Sequence, residues 1–441
     1  MKREAIFYTA GEILERGKEN IPDELLSGKN LVYSSPATLA YNSPGAEGFG
    51  VKRAGLSVPE SVMLIVAPGC CGRNTSLISS MPEYKNRFFY LEMNEPDLVT
   101  GHHLGKIPEA IKEVLSFLKD AGKKVPKVVM ICITCVDALL GTDMDRVCRK
   151  AEDALAGGEF EGVKVRPCYM YALTREGRRP PMVHVRQTIY SLLEPMEKDP
   201  RSVNIIGGFA PLENTELKTY LESAGIRNIR QISTCGTYEE FLKMASANFN
   251  IVIDPEARAA AEDMNNNLGI PYIELTRVYS TGKISSQYKA LASVAGIDII
   301  DSEEKAQADE AVAKLKSAYP DLKINVGECT NANAFELALS LTRMGFKVDE
   351  IYATLAPENF VYVKNLALIS PDTKIYCNME PTMLYYKISQ SDADVTIGKD
   401  AKFYCPDIPN VAWNQDTRPF GYQGVRDLMD KVYEALKEAR A

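Results

Sequence analysis

Short β-branched apolar runs recur along this chain with helix-length amphipathic stretches between them, and that alternation limits the fold more than any other feature. Val62–Ala67 ends in a Pro-Gly turn, and Lys127–Ile133 is apolar after its first residue. Unbroken runs of this kind suit parallel strands covered by helices on both faces. Between them, Pro108 is expected to open a helix with Ile111, Val114, Leu115 and Leu118 on one stripe, and Gly122 to stop it. The grammar repeats. Val203–Gly207 leads to a helix over Glu216–Ala224, and Asn250–Ile253 to an Ala-rich helix after Pro255. Lys323–Gly327 leads to a helix with Ala334, Leu337, Ala338 and Leu341 on one face. Glu350–Ala353, Lys374–Cys377 and Asp394–Ile397 read as further strands, and Gly424–Arg440 as a closing helix. Strands spaced by helices imply parallel sheets with right-handed crossovers. Polar, proline-containing breaks at Glu197–Arg201 and Ser317–Leu322 divide the chain. The expected layout is an N-terminal segment, 1–30, and three α/β domains over 31–198, 199–319 and 320–441.

Composition excludes several function classes. With 51 basic against 59 acidic residues, the chain offers no footprint for nucleic acid or an anionic membrane. Its opening residues are charged and lack an apolar core of the export type, and no stretch is apolar enough to span a bilayer. A cytoplasmic location is therefore expected, and ten cysteines there are not a disulfide framework. Only His102, His103 and His184 are available for histidine chemistry, the first two as exposed-turn candidates. No G-x-x-x-x-G-K-[ST] occurs, and Gly45–Gly50 lacks the G-x-G-x-x-G spacing, so no nucleotide is expected on this chain. Any ATP dependence would belong to a partner.

In parallel sheets, chemistry gathers at the carboxyl ends of strands. Those ends carry Cys70 and Cys71, then Cys135, Cys235 and Cys329, all in or beside polar turns. Thiolates so placed can converge on a soft metal or an iron–sulfur cluster. Cys132 and Cys135 also form a C-x-x-C after a strand, the spacing of a redox pair. Cys132, Cys148, Cys168, Cys377 and Cys405 read most simply as core residues.

Pro68-Gly69-Cys70-Cys71 and Thr134-Cys135 through Gly141-Thr142-Asp143 resemble two cluster-binding segments of the nitrogenase component 1 superfamily, G-P-x-G-C and T-C-x-x-x-x-I-G-D-D. Met93–Gly101 is similar to the family's acidic E-x-D-x-V-F-G-G segment and Val203–Leu221 to its N-I-I-G strand and helix. Ser233–Ile253 and Val411–Val425 resemble later segments, in matching order. The resemblance implies three Rossmann-like domains with parallel sheets flanked by helices. It makes Cys71 and Cys135 candidate thiolate ligands, with Cys70 a candidate replacement for an upstream cysteine that Asn42–Ala46 lacks. Two thiolates per subunit across a two-fold interface give the four that a [4Fe–4S] cluster needs.

The positions that anchor the family's large cofactor fall on Asp254 and Val411, so no such cofactor is expected. The corresponding cleft would keep Cys235, Asp254, Glu328, Cys329, Asn331, Trp413, Asp416 and Arg418. Asp254 is either a proton donor or an N-cap before Pro255, and Arg418 either holds a substrate carboxylate or pairs with Asp416. Cys329 is a candidate substrate-contacting thiol. The first functional reading is a nitrogenase-like reductase subunit, homodimeric or paired with a related subunit. It would receive electrons from a transient ATP-dependent iron protein and pass them to a small organic, tetrapyrrole-like substrate. The alternative is a metallocofactor-assembly scaffold or carrier of the same fold, and a third is a binding protein without a cluster.

Overall fold

The structure is a computed structural model that describes residues 4–26, 44–69, 79–133, 140–169, 179–213, 215–387, 391–414 and 419–440; for 44–49 it describes the backbone alone. The chain divides into two compact units. One comprises 44–211 and 226–274, and the other 1–43, 212–225 and 275–441.

The first of these units holds two four-stranded parallel sheets. One orders its strands Phe88–Glu92, Ser61–Ala67, Val128–Ile133, Lys164–Tyr169, and the other Asn228–Arg230, Asp199–Ile206, Ala247–Val252, Tyr272–Glu274. Both faces of the Val128–Ile133 strand are buried. Val128, Met130 and Cys132 point into one apolar core, and Val129, Ile131 and Ile133 into another. The helix Pro181–Tyr190 contributes Val185 and Ile189 to the first of these cores, which also takes in Ile206 from the second sheet and Met244, Ala260 and Met264 from the helical segments beside it. That shared core joins two sheets into one unit.

The other unit carries a six-stranded sheet ordered Tyr8–Thr9, Lys374–Tyr376, Lys347–Tyr352, Lys323–Gly327, Val395–Ile397, Asn410–Val411, parallel except for its first strand. The short helix Glu216–Ser223 belongs here because Glu216 serves the last helix, Gly421–Glu438. Its carboxylate accepts from the Tyr422 and Gln423 N–H groups at 2.6 and 3.3 Å and from the Tyr288 hydroxyl at 2.7 Å. Those backbone donors have no partner within their own helix, and the helix dipole favours an anion there.

One expected helix differs in its start. The segment begins at His102 rather than Pro108, and Pro108 lies inside a helix that runs to Asp120. Gly101, at φ +71°, turns the chain into it. His103 is consequently a buried helix residue, its Nδ1 3.2 Å from the Asp97 carbonyl, and not an exposed-turn residue. Gly122, at φ +67°, follows the helix end as expected.

Candidate functional site

The strands Ser61–Ala67 and Val128–Ile133 are hydrogen-bonded neighbours, with Val66 opposite Ile133. The two cysteine-bearing segments therefore leave from adjacent strand ends, Cys71 four residues beyond Ala67 and Cys135 two beyond Ile133. Adjacent parallel strands lie ~4.8 Å apart, so both segments start from one edge of one sheet. Cys70, Cys71 and Cys135 themselves lie outside the described residues, as do Asp416 and Arg418. Among the described residues, no group of three or more His, Cys, Asp or Glu side chains is placed to hold a metal. Cys132 is fully buried in the apolar core. That setting is the opposite of the partly exposed, electropositive one that makes a reactive thiolate. One of the two C-x-x-C cysteines is thus a core residue.

At the carboxyl end of the second sheet, Asp254 follows Ala247–Val252 and is 5% exposed. Its Oδ1 accepts from the Glu256 N–H at 3.2 Å, which caps the turn Pro255–Ala257, and its Oδ2 lies 3.9 Å from Arg186 Nη2. Arg186 is 1% exposed and donates to the carbonyls of Gly207 (3.1 and 2.7 Å) and Met182 (2.8 Å). It also meets Glu256 at 2.7 Å and covers the Phe209 ring at 4.7 Å. Gly207 adopts φ +125°, and a Cβ there would come within 2.7 Å of Asp254 Cβ. The geometry thus gives Asp254 both the capping role and a buried guanidinium partner. Cys235, in the same unit, is half-buried with Sγ 3.3 Å from the Gln231 carbonyl. Burial, reinforced by Glu240, pushes its pKa up to about 11.

The third sheet ends in a denser polar network. Asp400 follows Val395–Ile397, is fully buried, and accepts from the Glu328 N–H (2.8 Å), the Cys329 N–H (3.1 Å) and Asn378 Nδ2 (2.7 Å). Glu328 in turn accepts from the Thr354 N–H and from Asn378 Nδ2, each at 2.8 Å. A side chain at Gly327 would overlap the Asp400 carboxylate, so the strand end needs glycine there. Burial raises the Asp400 carboxyl above its usual range despite these hydrogen bonds. Burial, then the Asp400 and Glu328 charges, raise the Cys329 thiol as well. Cys329 is therefore held as a neutral thiol on a loop that Asp400 shapes. Trp413, at φ +42°, is buried, with its indole N–H on the Tyr279 hydroxyl at 2.6 Å and its carbonyl accepting from the Asn331 N–H at 2.7 Å. Val411 is a buried strand residue.

Sequence reasoning named Cys329 and Asp254 but missed Asp400 and Arg186, which fix their surroundings. Asp400 had a usable signal, since Gly398-Lys399-Asp400 follows a predicted strand just as Gly327-Glu328-Cys329 does. Arg186 had none, because it lies on a helix whose chemistry appears only when the two sheets share a core.

The family profile of nitrogenase component 1 type oxidoreductases matches residues 47–437. The chain belongs to this family. Among curated relatives, the nitrogenase iron-molybdenum cofactor biosynthesis protein NifE of Sinorhizobium fredii is 25% identical, covering 91% of this chain and 83% of its own. NifE of Rhodobacter capsulatus is 24% identical, over 84% of this chain and 80% of its own. Among solved structures, nitrogenase Cp1 at pH 6.5 superposes with a TM-score of 0.70 at 16% identity, covering 96% of each chain. The component 1 fold expected from the resemblance is therefore the fold of this chain. No helix among the described residues is long and apolar enough to cross a membrane.

Proposed function

We propose that this chain is a metallocofactor-assembly scaffold of the component 1 type. It holds an iron–sulfur cluster through Cys71 and Cys135, with Cys70 as a further candidate ligand. One observation carries the scaffold reading over that of a reductase acting on a tetrapyrrole: the relatives matched over most of their length are named as cofactor biosynthesis proteins. The geometry supports it in two ways. The segments bearing Cys71 and Cys135 leave from adjacent strand ends, which suits thiolates meant for one cluster. Asp254, where the resemblance puts a soft ligand of the large catalytic cofactor, is engaged by Arg186 and a backbone N–H. A hard, ion-paired carboxylate is a poor substitute for a thiolate at such a metal.

In this reading, a second copy of the chain or a related subunit supplies the remaining thiolates of a [4Fe–4S] cluster at the interface. An ATP-dependent iron protein is a transient electron donor. Asp254 and Cys329 shape the strand ends, and no organic turnover is required of them. Anaerobic purification with iron–sulfide reconstitution tests this. The expected product is brown, carries about four irons per dimer, and loses them in Cys135→Ala. It transfers iron to an apo-acceptor and shows no sustained reduction with iron protein, dithionite and ATP. Sustained reduction of an organic substrate would return the chain to the reductase reading. A folded, colourless protein after reconstitution would remove the cluster altogether.

A further inference from the structure

The first sheet carries a cavity whose wall includes Gly141, Thr142 and Asp143, the end of the sequence segment that carries Cys135, and whose other residues the scaffold reading gives no role. It measures about 400 Å³, and its walls come from the approach to the helix Met144–Leu155, the end of the strand Lys164–Tyr169 and the start of the helix Pro181–Tyr190. This is the carboxyl edge of a parallel sheet, where α/β folds bind ligands, and the volume suits a small organic molecule.

The lining divides by chemistry. Met144, Pro181 and the Tyr169 ring supply apolar surface, while Arg179 and His184 supply hydrogen-bond donors. Arg179 makes no ion pair among the described residues. The acid on the wall, Asp143, is engaged elsewhere, accepting from the Arg146 N–H at 2.9 Å as the cap of its own helix. His184 stands edge-on to Tyr169 with ring centroids 4.4 Å apart, and its Nδ1 lies 3.3 Å from the Thr188 hydroxyl. With Nδ1 accepting from that hydroxyl, the proton sits on Nε2, which can then donate to a ligand. No side chain caps the helix beginning at Pro181, so its positive end also meets the cavity. Burial, with Arg179 adding to it and Asp145 opposing, lowers the His184 pKa, so an anion arriving here meets one guanidinium and one neutral imidazole.

We propose that this cavity binds a small carboxylate with an apolar body, the carboxylate forked by Arg179 and accepting from His184 Nε2, the body against Met144, Pro181 and Tyr169. A planar monoanion matches one guanidinium fork. The nearby Asp143 disfavours a phosphate dianion.

The three histidines make the test direct. In the full-length protein labelled at its histidine rings, three signals are followed by NMR, with His184→Gln assigning one of them. Sodium benzoate is the probe and inorganic phosphate the rival. Benzoate should shift the His184 signal saturably and leave His102 and His103 in place. Arg179→Gln should weaken that response roughly tenfold or more, the scale of a lost charge-assisted hydrogen bond. Arg179→Lys, which keeps the charge and loses the fork, should fall between. Unmoved His102 and His103 signals in each variant report an intact fold; if Arg179→Gln disturbs them, Arg179→Lys decides alone. A His184 signal indifferent to benzoate, an equal response in the deciding variant, or tighter binding of phosphate than of benzoate would overturn the proposal. The readout needs no iron, so its failure and that of the scaffold reading are separate events.

Discussion

Arg186 has the most consequential side chain in the described structure relative to its visibility in the sequence. A fully buried guanidinium is retained only where carboxylates and carbonyls replace its water, and here Asp254, Glu256, Gly207 and Met182 do so. Removing one partner of such a set leaves the others desolvated, at a cost of about 3–5 kcal/mol. Arg186→Met is expected to lower the denaturant midpoint on that scale. Asp254→Asn, which keeps an oxygen for the Glu256 N–H, should cost only about 1–2 kcal/mol. An unchanged midpoint in Asp254→Asn would contradict the ion-pair account. The cysteines differ in the same way, by their surroundings. Cys132, Cys148, Cys168, Cys377 and Cys405 are buried, and burial pushes Cys148 up to about 12 and Cys377 up to about 11. Cys235 is half-buried with its thiol also near 11, so at pH 8 about one in a thousand is thiolate. Because the reactive form appears only as pH rises towards that value, alkylation of Cys235 should accelerate roughly tenfold per unit between pH 8 and 10. Peptide mass spectrometry in the native state reads this, and the five buried thiols should stay unmodified throughout.

At the scale of elements, burial decided which strands were legible. Each sheet has two edge strands, so the sheets of six, four and four strands contain eight interior strands. Those eight are the runs named from sequence, because a strand covered on both faces is mostly apolar even where a buried residue such as Asn204, Asn325 or Glu350 interrupts it. Five of the six edge strands carry weaker signals, and the sixth, Phe88–Glu92, is an aromatic run that sequence reasoning missed. Asn228–Arg230 and Tyr272–Glu274 are three residues long, and Lys164–Tyr169 contains Pro167 and two charged residues. The Val165 N–H is satisfied by the Glu152 carboxylate at 2.7 Å, and Pro167 has no N–H to offer. That edge is thus closed to further strand pairing. The last helix has an equally hidden dependence. Gly421, at φ +64°, lies so close to Glu216 that a Cβ would overlap the carboxylate. Gly421→Ala should therefore destabilise by about 2 kcal/mol or more, from strain and a displaced cap together. Amide exchange at Tyr422 and Gln423 should accelerate both in that variant and in Glu216→Ala; unchanged protection would exclude the cap.

For the whole molecule, the decisive prediction concerns the paired cysteine segments. If Cys71 and Cys135 serve one cluster, either substitution to Ala should remove the reconstituted iron while circular dichroism stays unchanged. Loss of iron in only one variant would break the pairing inferred from the adjacent strands. By itself the sequence determined the parallel α/β architecture, the interior strands, the family and the motif cysteines. These depend on local period, on residues covered from both sides, and on short segments whose spacing is set by one strand and one turn. Only the tertiary structure decided that Asp254 is capped and paired, that Asp400 shapes the Cys329 loop, and that Glu216 serves a helix some two hundred residues onward. It also decided that the first two sheets share one core and that Arg179 and His184 line one cavity. The physical reason is common to all of these. Desolvated charges and helix ends are satisfied by whatever donor or acceptor the packing brings within about 3 Å, and sequence separation carries no record of that distance.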